Sequence, residues 1–425
     1  MHPKDLLAAA TQLTHLVLRL DHPADMVVSR FFREHRNLGQ RERATLAETA
    51  YAVLRRKPLF EHLARADGGG GHDGRDRRLA ILGFHAPRDF LMQALTAGEQ
   101  AWLAACDATP PASLPPACRH NLPAWLAERL QAQLGAAEFD DLAAAMLQSA
   151  PLDLRVNTLL AKREQAEQEL RAAGIEAEPT PYSPWGLRVR GKPALQRLDL
   201  FTRGAVEVQD EGSQLLALLL DARRGQMAAD FCAGAGGKTL ALGAAMRNTG
   251  RLYAFDTSAH RLAALKPRLA KSSLSNVHPA VIAHERDERI KRLAGKLDRV
   301  LVDAPCSGLG TLRRNPDLKW RQSPQDVREL AAKQQAILSS AARLVKPGGR
   351  LLYATCSLLP DENEAVAQAF AAAHPAFAPL DAAQLLHALK VPAADLLATP
   401  AGHLRLWPHR HGTDGFFAAV WERGD

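Results

Sequence analysis

The chain is 425 residues long, 47% apolar and 24% charged, with a formal net charge of +8 at pH 7; this is the balance of a soluble protein of roughly three ordinary domains, and its basic excess suits a polyanionic partner. No apolar run reaches the roughly 20 residues that cross a bilayer, and the N-terminal stretch is no secretory signal, so no membrane association and a cytoplasmic location are expected. The five cysteines, at positions 106, 118, 232, 306 and 356, are odd in number and form no Cys-x-x-Cys pair, which argues against a disulfide framework or a zinc ribbon and for a reducing compartment.

From residue 8 to about 63, apolar residues recur at helical spacing, as in Leu13, Leu16, Val17 and Leu20 and again in Leu46, Ala50, Val53 and Leu54. Residues 67–78 read Asp-Gly-Gly-Gly-Gly-His-Asp-Gly-Arg-Asp-Arg-Arg, a composition that buries no core and predicts a surface loop. Helical pattern resumes at Leu79 and breaks at Pro110-Pro111 and Pro115-Pro116. It returns as a helical pair over 123–147. Residues 1–148 are therefore expected to be a helical domain.

The rhythm changes at Pro151. Residues 152–157 alternate like a strand, 162–173 read as a helix closed by Gly174, and 186–190 read as a second strand. A small α/β module over 149–205 is predicted. Its Arg155, Arg188 and Arg190 form either a basic face or merely solvated charges.

From 206 onward strand and helix alternate, the signature of a parallel α/β sheet. Strands are expected near 227–232, 251–256, 280–284, 299–303 and 350–355, and helices near 238–246, 259–271, 323–345 and 361–373. Ser323 with Pro324 makes a good helix start. Asp361, Glu362 and Glu364 suit the positive end of the last helix. Two close strand-like runs, 404–407 and 416–421, suggest an antiparallel pair finishing the sheet.

Asp230-Phe231-Cys232-Ala233-Gly234-Ala235-Gly236-Gly237-Lys238-Thr239 follows a strand and opens a helix. Glycines there let the backbone turn tightly and approach a ligand. A phosphate-binding P-loop is disfavoured, because its first glycine would have to stand where Cys232 does. Asp256, at the end of the next strand, is placed to accept hydrogen bonds from two ribose hydroxyls. A nicotinamide dinucleotide and S-adenosylmethionine fit this loop equally well.

Two further strands end in cysteine. Val300-Leu301-Val302-Asp303 leads into Ala304-Pro305-Cys306-Ser307-Gly308, and Leu351-Leu352-Tyr353-Ala354-Thr355 leads into Cys356-Ser357. Open α/β sheets bind ligands just beyond such strand ends. Either thiol alone reads as an inert buried cysteine; two of them beside a glycine loop point to covalent chemistry. Addition of a thiolate to C6 of cytosine makes C5 nucleophilic enough to take a methyl group. The scheme needs a crevice cysteine, an acid near N3 and a base for the C5 proton. Asp303, Cys306 and Cys356 supply suitable groups, but spacing does not say which thiol attacks or which group is the base.

Several motifs follow one another in order: Arg155-Val156-Asn157, Val208-Gln209-Asp210, the glycine loop, Asp-Ala-Pro-Cys-Ser-Gly over 303–308, and Arg313-Arg314-Asn315-Pro316-Asp317-Leu318-Lys319-Trp320. Tyr353-Ala354-Thr355-Cys356-Ser357 and Asp414-Gly415-Phe416-Phe417 complete the series. Through them the chain, from Pro151 on, resembles the Nol/Nop/Sun family of S-adenosylmethionine-dependent RNA cytosine-5 methyltransferases, and within it the bacterial Sun/Fmu type, methyltransferase B of small-subunit ribosomal RNA. The resemblance implies a Rossmann-like methyltransferase domain over 206–425 with S-adenosylmethionine as cofactor, preceded by a small α/β RNA-binding-like module and a divergent NusB-like helical domain. It carries the nucleophile onto Cys356 and leaves Cys306 to assist breakdown of the covalent intermediate. Cys232, Ala233, Gly234, Ala235, Gly236, Gly237, Lys238 and Asp256 would hold the cofactor, and Asp303 would lie between cofactor and base. The implied partner is RNA, with small-subunit ribosomal RNA first, and the enzyme is expected to be a monomer. Action on tRNA or another RNA, or a non-catalytic role in RNA assembly, is the alternative.

The family's adenine-contacting aspartate has no clear equivalent: ungapped counting back from Asp303 gives His284, and a shift gives Asp287. His409 and His411 lack the companions a metal site needs, so no metal is expected. Arg313, Arg314, Lys319 and Arg321 with Trp320 suit an RNA backbone and an extruded base. A structural Trp320 is the competing reading.

Overall fold

The structure, a computed structural model, describes residues 1–65 and 72–424. It divides into two compact units, Met1–Ser149 with Thr311–Ser323, and Ala150–Gly310 with Pro324–Asp425.

The first unit is helical among its described residues. Helices Pro3–Leu18, Gln40–Arg55 and His72–Gly83 bury Leu7, Leu13, Leu46, Leu54 and Ile81 in one core. Residues 66–71 of the expected glycine loop lie outside the described residues, but its second half is helix rather than loop. Its charges are partnered there, which composition could not reveal. Arg77 grips Glu99 through two bonds, Arg78 donates to Ala64 O at 2.7 Å, and Asp76 meets His15 at 2.8 Å.

Sequence order put 311–323 in the domain beginning at 206; the structure groups it with the helices. Lys319 is buried, and its Nζ donates to the carbonyls of Arg55 at 2.8 Å and Asn121 at 2.7 Å. Trp320 Nε1 donates to Leu54 O at 2.7 Å, and Asp317 pairs with Arg321. Trp320 is thus structural in this unit, and Lys319 is not an exposed phosphate contact.

The second unit holds twelve strands: β1 Leu152–Val156, β2 Ala177–Pro179, β3 Gly186–Val189, β4 Val206–Val208, β5 Met227–Asp230, β6 Arg251–Asp256, β7 Val277–Val281, β8 Leu297–Asp303, β9 Val345–Thr355, β10 Phe377–Leu380, β11 Leu404–Leu406 and β12 Phe416–Arg423. A small antiparallel sheet runs β2-β3-β1-β4. A boundary at 205/206 therefore falls just before its last strand. Of the two readings of its arginines, a basic face or solvated charges, neither describes Arg155 and Arg188, which are partnered within the fold. Arg155 is buried and donates to Gln209 Oε1 at 2.6 Å, with burial pushing its pKa down to about 10. Arg188 is held bidentately by buried Asp153, and Arg190 pairs with Glu176.

The large sheet runs β10-β12-β9-β8-β5-β6-β7, with β11 on β12. The five strands from β9 to β7 are parallel, and the tail strands pair antiparallel as expected. This is the expected Rossmann-like α/β layout, covered on both faces. Alternation along β8 and β9 sends Leu301, Leu352 and Ala354 to the core under helices Glu211–Leu220 and Gly237–Ala245. Val300, Val302, Leu351 and Tyr353 face helices Pro324–Ala342 and Glu364–Ala373. After β7 the chain returns to the other side of β5, so the sheet reverses order between β5 and β8, where such folds bind ligands.

Two expectations shift. The third strand is Val277–Val281 rather than 280–284; Pro279 sits inside it, tolerated because β7 is the sheet edge. The helix expected over 259–271 breaks into Ala259–Ala263 and Leu265–Ser272, because Pro267 cannot donate to the carbonyl of Ala263. His411 is also structural: its Nδ1 accepts from Trp407 N at 2.8 Å and its Nε2 donates to Leu396 O at 3.0 Å. No metal-ligand cluster is found among the described residues, and no helix among them is long and apolar enough to cross a membrane.

The buried Lys319 yields a stability test. Lys319→Ala should strand two interior carbonyls and cost on the order of 3 kcal/mol, read as an earlier urea transition of the helical unit. An unchanged transition would remove this anchoring role.

Candidate active site

A cavity of 480 Å³ opens at the carboxyl ends of β5, β6 and β8, within the size range of small-ligand sites. Cys232, Asp256, Asp303, Cys306 and Cys356 all line it, with Phe231, Ile282 and Ile337 as apolar wall. The predicted residues Ala233, Gly234, Ala235, Gly236, Gly237 and Lys238 are not in its wall; they shape the loop behind it. Gly236 stands at φ +84°, and a Cβ there would lie 2.2 Å from Leu265 Cδ1, so the turn into the helix admits only glycine. Ala235 O is taken by Arg268 at 2.6 Å.

Asp256 ties this loop down and still faces the cavity. Its Oδ2 accepts from Gly234 N and its Oδ1 from Ser258 N, both at 2.7 Å. Each carboxylate oxygen keeps a second lone pair for a ribose hydroxyl. The cavity thus fits a nucleoside: a carboxylate for the sugar and an apolar slot for a base. Neither candidate for the missing acid lines it. Asp287 caps the helix Glu288–Lys291, accepting from Arg289 N and Ala283 N, and His284 Nδ1 accepts from Arg286 N. The wall residue is Glu285, one position past the one that ungapped counting back from Asp303 reached. Arg261 and Lys333 also line the cavity and carried no sequence signal.

Lys238 Nζ reaches Asp303 Oδ2 at 2.7 Å. Burial opposes its charge, yet Asp303, then Cys356 and Asp230, outweigh it and hold the Lys238 pKa above its ordinary value. A fixed ammonium therefore stands behind the cavity wall, paired with Asp303 and near the second thiol.

The two strand-end thiols meet. Adjacent β8 and β9 align Asp303 with Ala354, and just beyond that pair Cys306 Sγ lies 3.4 Å from Cys356 Sγ. The hydrogen bond to Cys356, burial, and the charges of Cys356 and Glu362 push the Cys306 pKa well above the thiol norm. Cys306 is thus a thiol that resists losing its proton, and at this distance either sulfur can donate to the other. Burial and the neighbouring acids likewise push Cys232 well up, so it is no nucleophile. The backbone holds Cys356 from the other side: Gly310 N donates to Cys356 O at 2.8 Å, in a contact so close that a Cβ on Gly310 would lie 2.2 Å from Gly415 O.

Comparison with known proteins places this cavity in context. The family described as 16S rRNA methyltransferase RsmB/F matches residues 217–422, and the ferredoxin-like domain of RsmF/B-like methyltransferases matches 122–196. A probable ribosomal RNA small subunit methyltransferase B of Synechocystis is 36% identical over 71% of this chain and 66% of its own length. Ribosomal RNA small subunit methyltransferase B of Erwinia tasmaniensis is 32% identical over 88% of this chain and 76% of its own. The crystal structure of PH0851 superposes with a TM-score of 0.80 at 27% identity, covering 100% of this chain and 99% of that one.

Behind the glycine loop, buried Asp230 accepts from Thr239 Oγ1 at 2.6 Å, and burial raises its pKa from 3.8 to about 6. A raised acid holds its proton more tightly folded than unfolded. Its contribution is full below pH 4 and lost as pH rises through 6, on the order of 3 kcal/mol. Asp230→Asn should lack that pH dependence, so that wild-type minus variant unfolding free energy falls by about 3 kcal/mol as pH rises from 4 to 7; parallel curves over that range would refute it.

Proposed function

The chain belongs to the RsmB/F family of 16S rRNA methyltransferases, and we propose that it methylates C5 of a cytosine in small-subunit ribosomal RNA, using S-adenosylmethionine. The observation that carries this reading is the pair of strand-end sulfurs at 3.4 Å inside a nucleoside-sized cavity. Asp256 would hold the ribose, the glycine loop from Cys232 to Lys238 would form the turn beneath the cofactor, and Glu285 stands nearest the vacant role of the adenine-contacting acid. When bound, the cofactor supplies a methyl group made electrophilic by its sulfonium.

The chain's own residues supply the rest. Cys356 Sγ bonds to C6 of a cytosine flipped or single-stranded in the cavity, and the C5–C6 double-bond electrons shift towards the N3 side and C5. Asp303, held by Lys238, stabilises charge at the polar edge of the ring. Once C5 carries the methyl group, a base removes its proton, the electron pair restores the double bond and the S–C6 bond breaks. Cys306, protonated and in contact with the departing sulfur, assists this elimination. Lys333 and Arg261 at the cavity wall suit RNA phosphates.

Protein, labelled S-adenosylmethionine and small-subunit ribosomal RNA should give label at cytosine C5. Cys356→Ala should abolish it, a loss of at least about 10³-fold. Cys306→Ala should instead retain RNA on the protein as a denaturant-stable adduct. Label at another atom, or full turnover in Cys356→Ala, would overturn the reading.

A further inference from the structure

Glu362 lies where the two thiol loops meet and takes no part in the chemistry above. It is fully buried, as are Ser307, Ser357 and Asn363. Its Oε1 accepts from Ser307 N at 2.8 Å and Gln334 Nε2 at 3.0 Å; its Oε2 accepts from the hydroxyls of Ser307 and Ser357, each at 2.5 Å. Ser307 follows Cys306 and Ser357 follows Cys356, so one carboxylate binds the residue next to each sulfur. Gln334 Nε2 also donates to Pro305 O at 2.9 Å, and Asn363 Nδ2 donates to Ser357 O at 3.0 Å.

The sheet cannot do this work. Its ladder ends with Ala304 N donating to Ala354 O, short of both cysteines, and strand ends diverge once cross-strand bonds stop. A buried carboxylate is costly unless hydrogen-bonded, and apolar packing would fill the space with less desolvation. What the carboxylate adds is direction: four donors, charge-assisted and short, fix both loops to one point.

We propose that Glu362 is a positioning residue that locks the Cys306 and Cys356 loops together and so holds the two sulfurs in contact for elimination, an inference that rests on the roles given above to those thiols.

The test uses the full chain with small-subunit ribosomal RNA and labelled S-adenosylmethionine, comparing Glu362→Gln, the double variant Ser307→Ala with Ser357→Ala, and Cys306→Ala. Glu362→Gln should keep KM for RNA and cofactor within about threefold while kcat falls roughly 10- to 100-fold. It should accumulate the RNA adduct, as Cys306→Ala does, and adding it to Cys306→Ala should lower kcat no further. A general folding defect would instead multiply with Cys306→Ala and leave no adduct. If Glu362→Gln does not fold, the double serine variant carries the same expectations. Absence of an adduct in Cys306→Ala sinks the thiol roles and this inference with them. An adduct there, beside wild-type turnover in folded Glu362→Gln, overturns the positioning role alone.

Discussion

Everything at this site depends on the parallel pairing of β8 with β9. The two cysteines are 50 residues apart in the chain, and no local signal could bring them together. The register Asp303↔Ala354 does so: it sets the two strand ends side by side, so that both cysteines follow within three residues of the same point. A slip of one residue would also turn Leu301 and Leu352 out of one core and Val302 and Tyr353 out of the other. The hydrophobic faces of the sheet therefore fix the register that brings the two thiol loops side by side.

Electrostatics then distinguishes groups that composition leaves equivalent. Three thiols face one cavity, yet burial and the surrounding acids keep Cys232 protonated, and Cys306 keeps its proton through its bond to Cys356. The one fixed ammonium that the Asp303 carboxylate holds nearby, Lys238, adds its charge beside Cys356. Net charge of the chain says nothing of this. The decisive charges are buried and local, and several are arranged to oppose one another across a few ångströms.

The sequence made the strands legible wherever their ends carried chemistry. Asp256, Asp303 and Thr355 end strands as expected, and β5 stops at Asp230, two residues before the expected end, because parallel strands buried on both faces are short apolar runs with abrupt polar stops. It failed where tertiary context overrode local composition. Pro279 disguised β7 because proline usually breaks strands. The strand expected from 350 begins at Val345, so that Pro347, Gly348 and Gly349 lie within β9. Arg155, Arg188 and Lys319 looked like RNA contacts because a side chain's charge is visible in sequence and its buried partner is not.

Glu362 is the most instructive of these misreadings. In sequence it is one of three acids in the first turn of a helix, where a favourable dipole explains it adequately. In the structure the helix starts at Glu364, and Glu362 has left it to sit beneath the thiol loops. The two readings differ in what the residue costs. An exposed acid at a helix start is nearly free, whereas a carboxylate with no solvent exposure must recover its hydration from specific donors. The chain commits both serine hydroxyls, a backbone amide and Gln334 to that end. Tyr353, at the centre of β9, donates to Gln334 Oε1 and to Glu362 O. That assembly runs from β9 to the residues flanking each sulfur, so the rigidity of the sheet extends past the end of its own hydrogen-bond ladder to both thiol loops.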